Sequence, residues 1–271
     1  MIKLLKAGIF RLRKDTIFWL FIFLTIGISG FTLFRYSSSD EVNLDRVINE
    51  FVMYIGLFIA IFVSIFVGKE HSQGIIINKI IVGHSRISIF LSNLFISIMV
   101  SLLCELIYLI VVILIGIHLF GDLKIPLSQF AMGILNTALI IISFCSIFNF
   151  ITMICSEITI STTICIILFI VMYIMQGVFS LTAHSTKYIE QTLYDENGNK
   201  DIISQELNPN YAGDQNVKKT KIIYLSIPQG QAMEISNSNL ESLQQMPMYS
   251  IPLIAIINIL GFYIFSKKEL K

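Results

Sequence analysis

Charge is what this sequence has least of: Asp, Glu, Lys and Arg make up 14% of its 271 residues, against roughly a quarter in a soluble domain. So few charges cannot cover a water-facing surface. With 55% hydrophobic residues, the composition also excludes a disordered chain, a collagen and a disulfide-rich secreted module. Cysteine is sparse too. Cys104, Cys145, Cys155 and Cys165 fall in or at the ends of apolar runs and form no C-x-x-C pair, so they read as small packing residues. The chain has no G-x-x-x-x-G-K-[ST] loop for ATP, no G-x-S-x-G elbow, no H-E-x-x-H and no Cys/His metal spacing. The net charge of +1 gives no pull toward a polyanion, and no nucleic-acid partner is expected.

Long apolar runs are what the sequence has. A bilayer core about 30 Å thick needs roughly 20 apolar residues of helix to cross it. Six stretches qualify: Ile17–Phe34, Phe51–Val67, Leu94–His118, Phe130–Ile154, Thr159–Leu181 and Tyr249–Phe265. Each must be helical, because lipid offers its backbone no hydrogen-bonding partner. The expected fold is an all-α polytopic membrane protein. A cleavable signal peptide is the rival reading of the first run, since Ser37, Ser38 and Ser39 follow it, but five further runs favour an uncleaved helix.

Orientation follows from the Lys and Arg residues near the span ends. Lys3, Lys6, Arg11, Arg13, Lys14, Lys69, Lys79, Arg86, Lys267, Lys268 and Lys271 fall on one side, against Arg35, Arg46 and Lys124 on the other. Eleven against three predicts cytoplasmic termini and places residues 182–248 outside.

Residues 1–16 read as an interfacial helix. Ile2, Leu5, Ile9 and Leu12 recur on one side, and Lys3, Lys6, Arg13 and Lys14 on the other lie near inner-leaflet headgroups. Residues 17–181 hold the first five spans. Residues 182–248 carry eight acidic residues against five lysines. There Asn197-Gly198 between Tyr188–Tyr194 and Asp201–Ser204 suggests a hairpin, Lys221–Ile227 another strand and Asn239–Gln245 a short helix, giving a small extracellular α/β domain. Residues 249–271 are the sixth span and its tail.

The connection after the second span, Gly68–Leu94, is too apolar to float free in water. Gly74 and Gly83 bracket a run long enough for about two helical turns. It is either a short amphipathic helix with one side offered to a partner or a re-entry loop dipping into the headgroups; periodicity leaves both open. Within the spans, Glu105 is a mid-bilayer acid that either faces the bundle interior or a substrate route, or is protonated and hydrogen-bonded to a neighbouring helix. Asn136 and Asn149 belong to a polar stripe on the fourth span that packs helices or lines a path.

The order Glu70, His71, Gly74, Ile75, Asn78-Lys79, Gly83 and Ser85-Arg86 resembles the E-[YH]-x-x-G-[TI]…N-K…R signature of ABC-2-type transporter permeases. The threonine common after the glycine is Ile75 here. The basic lead segment and the long loop before the last span fit the same family. The resemblance implies a permease subunit of an ABC exporter in a bacterial-type cell membrane, working with a second permease chain, identical or related. Residues 74–83 would be the coupling helix docking on a separate P-loop ATPase. Glu70 and Gly74 would shape the turn, Ile75, Ile77, Asn78 and Ile81 would carry the docking surface, and Lys79 and Arg86 would face the ATPase or the headgroups. No cofactor is then expected on this chain, Mg-ATP being held by the partner. The subgroup handling amphipathic peptides, as in lantibiotic immunity and bacitracin-type resistance, is the nearest in size. Two rivals come from other classes: an intramembrane enzyme using Glu70, His71 and His84, and a membrane sensor binding a peptide through its external segment.

Overall fold

A computed structural model describes the chain except residues 38–42, 156, 195–199, 210, 238–239 and 269–271. The elements, in order, are α1 (Ile2–Lys14), α2 (Thr16–Ser37), α3 (Leu44–Ile48), α4 (Val52–Ser72), α5 (Ile75–Ile81), α6 (Arg86–Phe120), α7 (Leu127–Ile154) and α8 (Ile158–Ala183). After them come β1 (Tyr188–Tyr194), β2 (Lys200–Leu207), α9 (Asp214–Ser226), α10 (Pro228–Ser236), α11 (Leu240–Leu243) and α12 (Met246–Lys267). Six helices are long and apolar enough to cross a membrane: α2, α4 with α3 leading into it, α6, α7, α8 and α12. The fold is helical, polytopic and built for a bilayer.

The six expected spans all form, with ends shifted by capping. Helix α6 starts at Arg86 rather than Leu94 because Ser85 caps it, its hydroxyl accepting the Ser88 N–H at 3.2 Å. At 35 residues α6 is about 52 Å long, well beyond the hydrocarbon core, so its ends extend past the apolar layer. Helices α4 and α7 are the most enclosed and form the centre of the bundle. Their core is aromatic: Phe62 stacks on Phe66, Phe144 on Phe148, and Phe51 on Tyr108 of α6. Around them α2, α6, α8 and α12 turn large apolar side chains outward, as lipid-facing helices do. The cysteine thiols are free, and Cys104, Cys145 and Cys165 are buried in this packing.

Helix α1 packs along α6 through Leu4, Gly8 and Leu12, while Ile2 is exposed. The packed side is thus rotated from the expected Ile2, Leu5, Ile9 and Leu12 stripe. Gly8 explains the rotation: a Cβ there would sit 2.1 Å from Ile96 Cδ1, so its missing side chain lets the two helices close up.

The segment between α8 and α12 consists of a hairpin and short helices, and its helices pack on the spans. The β1–β2 hairpin forms, antiparallel, pairing Tyr188 with Leu207 and Tyr194 with Lys200. Its Asn197-Gly198 turn lies outside the described residues. Lys221–Ile227 is not a strand: it is the end of α9, whose Val217, Thr220, Tyr224 and Leu225 turn inward at helical spacing. Helix α10 then drops between α4, α7 and α8, so Ala232, Ile235 and Leu243 belong to the same core as the spans. Gly230 makes the corner possible, since a Cβ there would lie 2.1 Å from the Tyr224 carbonyl oxygen.

Candidate functional site

The basic residues meet at one end of the bundle, where α1, the end of α4, α5, the start of α6 and the end of α12 come together. Glu70 sits at their centre and is 1% exposed. Its Oε1 receives the Lys79 ammonium at 2.6 Å and the Arg11 guanidinium at 2.7 Å, and its Oε2 accepts the Asn93 amide N–H at 2.7 Å. One carboxylate therefore ties α4 to α1, α5 and α6. Arg11 also lies over the Phe66 ring, 4.2 Å from its centroid. Burial pulls the Lys79 ammonium below its ordinary pKa, and the Glu70 charge opposes that fall.

Two glycines in the left-handed region set the direction of α5. Gly74, at φ +66°, ends α4 and begins α5. Gly83, at φ +93°, closes α5 in a Schellman arrangement: its N–H donates to the Ile80 carbonyl at 2.8 Å and the His84 N–H to that of Lys79 at 3.1 Å. Of the two sequence readings of this connection, the structure adopts the short helix. Ile76 is buried and Ile75 and Ile80 are partly covered, while Ile77, Asn78, Ile81 and Val82 are exposed. Ile81 and Val82 keep 76% and 77% of their surface open, an apolar edge on a helix that is otherwise anchored.

The charged residues of the motif face elsewhere than the resemblance implies. Lys79 points inward to Glu70. Arg86 reaches the end of α12, its Nη1 donating to the carbonyls of Phe265 and Ser266, each at 3.2 Å, and to that of Lys268. It supplies the cation that a helix C-terminus favours. Both cations instead meet acceptors within the fold, the Glu70 carboxylate for Lys79 and the carbonyls at the end of α12 for Arg86. Lys3, Lys6, Arg13 and Lys14 stay exposed along α1. Asp15 holds Lys69 at 3.0 Å and, at 3.1 Å, accepts the Ile17 N–H at the start of α2.

Glu70, His71 and His84 do not converge. The Glu70 carboxylate is occupied by its two cations, and His71 faces the Met153 backbone instead. No group of three or more His, Cys, Asp or Glu side chains able to hold a metal ion occurs among the described residues.

The polar residues inside the spans also separate. Asn136 is a strut: its Nδ2 donates to the Leu243 carbonyl at 2.9 Å, joining α7 to α11. Asn149 is fully buried, with neither amide atom hydrogen-bonded among the described residues. Glu105 lines a cavity.

Sequence reasoning also missed an ion pair at the opposite end. His184 Nε2 lies 2.6 Å from Glu234 Oε1, linking the end of α8 to buried α10. The Glu234 hydrogen bond raises the His184 pKa. Burial pushes Glu234 upward, but the His184 and Ser242 hydrogen bonds and the nearby positive charges prevail and hold it below its usual value. Fifty residues separate the partners, and no spacing rule reaches across them.

In comparisons with known proteins, no family model matches this chain and no curated relative is found.

Proposed function

We propose that the chain is the permease subunit of an ATP-driven ABC exporter, gripped at α5 by a separate P-loop ATPase. On this reading the basic end is cytoplasmic, by the excess of Lys and Arg there, and both termini lie on that side of a bacterial-type cell membrane. A second permease chain completes the path, Mg-ATP stays on the ATPase, and amphipathic or antimicrobial peptides are the cargo.

The observation that carries the reading is the braced helix with an open apolar edge. A motor needs a part it can hold and a part that cannot slip. The Ile77, Ile81 and Val82 edge is the first, and the Glu70 cluster supplies the second. A push on α5 passes through Lys79 and Glu70 to α4, through Asn93 to α6 and through Arg11 to α1. To invert a bundle equilibrium from 1:99 to 99:1, ATP-driven closure must favour one arrangement by about 5.5 kcal/mol. The resemblance of residues 70–86 to ABC-2-type permeases supports the same reading, and the absence of a phosphate-binding loop from the sequence agrees with an ATPase on another chain.

The test is affinity purification of the full chain from its native membrane, with partners identified by mass spectrometry. The expected result is a P-loop ATPase whose turnover in the complex falls when Ile81→Asp and Val82→Asp break the apolar edge. Absence of such an ATPase, or unchanged turnover in the double variant, refutes it.

A further inference from the structure

Between α6 and α7, toward the end of the bundle that carries α3 and α10, is a cavity of about 310 Å³. Its size is near the lower bound of small-ligand sites, about 300–1,000 Å³. Leu102, Leu106 and Phe130 give it apolar walls, and Glu105 is the one ionisable residue among those lining it. No hydrogen bond or ion pair reaches the Glu105 carboxyl among the described residues, and its Oε2 is sealed from solvent. The fully buried carboxylates described above each have a cation: Glu70 has Arg11 and Lys79, and Glu234 has His184. Glu105 is half-buried, and an acid inside a span with no partner at a cavity wall is a half-made interaction.

We propose that this cavity binds an amphipathic amine, its apolar body between α6 and α7 and its ammonium group on Glu105. The polar residues near the acid suit such a head group. Asn49 spends its amide N–H on the Asp45 carbonyl at 3.2 Å and keeps its oxygen as an acceptor. Gln129 and Thr137 add an amide and a hydroxyl to the lining. An ammonium has three N–H donors and no acceptor, which matches a cavity lined by one carboxylate and three neutral polar side chains. No cationic side chain lines the cavity to compete for Glu105. Gly133 lies on its α7 wall with nothing within 4 Å of where a Cβ would be, so a larger residue there fills the space without meeting protein. The site stands independently of any ATPase, and its test uses this chain alone.

The experiment is photolabelling of the purified full chain in phosphatidylcholine nanodiscs with a diazirine-bearing dodecylamine, followed by peptide mapping. Dodecylamine and dodecanol are the competitors, each corrected for partition into empty nanodiscs. Labels are expected on residues 102–109 and 129–138, with dodecylamine competing at about a tenfold lower concentration than dodecanol. Glu105→Gln, which keeps the shape and removes the charge, abolishes that preference, and Gly133→Leu removes the labelling. Labels spread along every lipid-facing helix overturn the proposal, as do equal competition by amine and alcohol or an undiminished preference in Glu105→Gln. Should Glu105→Gln fail to fold, the amine-against-alcohol contrast in the unaltered chain decides the matter.

Discussion

Glu70→Gln removes one negative charge and one acceptor from a site where three donors converge within 2.7 Å. Glutamine keeps a single carbonyl oxygen. That oxygen can accept from Lys79 or Arg11, while its new amide N–H group faces the other donors. At least one buried donor is then orphaned, and two cations share a pocket with no counter-charge. Breaking a buried pair from one side costs about 3–5 kcal/mol. Arg11 is about a quarter exposed and recovers part of its hydration, so the lower end of that range applies, about 3 kcal/mol. The assay is equilibrium unfolding in mixed micelles, joined to hydrogen exchange of the α5 amides. Both the global loss and faster exchange across Ile75–Ile81 are expected. Adding Lys79→Met to Glu70→Gln restores part of the loss, because the second change removes a stranded ammonium; the coupling between the two sites is expected at about 0.5–3 kcal/mol. Unchanged stability with unchanged α5 exchange would refute the idea that Glu70 holds α5. Strict additivity of the two substitutions would show that Lys79 and Glu70 do not act on each other.

Three further outcomes follow from the packing. The His184–Glu234 link is strongest when both partners are charged: the raised His184 contributes stability below about pH 6.5 and loses it as pH rises through its higher folded value, while the depressed Glu234 contributes above about pH 4.3 and loses it on further acidification. The protection of α10 amides, corrected for their intrinsic exchange rate at each pH, is therefore highest between those values, and His184→Phe flattens the profile; an identical profile in the variant contradicts the link. Gly230→Ala drives a Cβ onto the Tyr224 carbonyl oxygen and is expected to lose about 1–3 kcal/mol or more in thermal or denaturant unfolding, whereas Gly177→Ala, with nothing within 4 Å, is neutral or stabilising. Gly74→Ala forces a side chain into φ +66° and costs about 1–2 kcal/mol, visible as a lowered melting temperature with the bundle otherwise intact.

The spans were legible because lipid imposes one simple demand: about 20 apolar residues in helical form leave a signal that tertiary context hardly alters. Their ends were less so. The eight-residue extension of α6 depends on the Ser85 hydroxyl reaching the Ser88 N–H, a local cue lying within a stretch already read as connection. The hairpin and the Gly74–Gly83 brackets were also visible, since turn chemistry is local. Helix α9 misled because Ile222, Ile223 and Tyr224 suggest a strand, while packing uses Tyr224 and Leu225 and leaves the two isoleucines exposed. Helix α10 could not be foreseen at all. Its Gln229, Gln231 and Glu234 forbid burial in isolation and accept it only because the Met53 and Leu225 carbonyls, Ser250 and His184 meet them there. Within the site, Gly74 could be named from the residues and Glu70 and Lys79 from the family resemblance, but the inward turn of Lys79 could not. Arg11 and Asn93 were invisible as partners, and the capping role of Arg86 spans 180 residues of chain.

Contact at the exposed edge of α5 tests most directly the proposal that an outside motor grips it. A photo-crosslinking residue placed at Val82, in cells expressing the full chain, is predicted to capture a P-loop ATPase, with the yield rising or falling as ATP turnover is stalled. Crosslinks to lipid alone, in a chain that still moves its cargo, would contradict it.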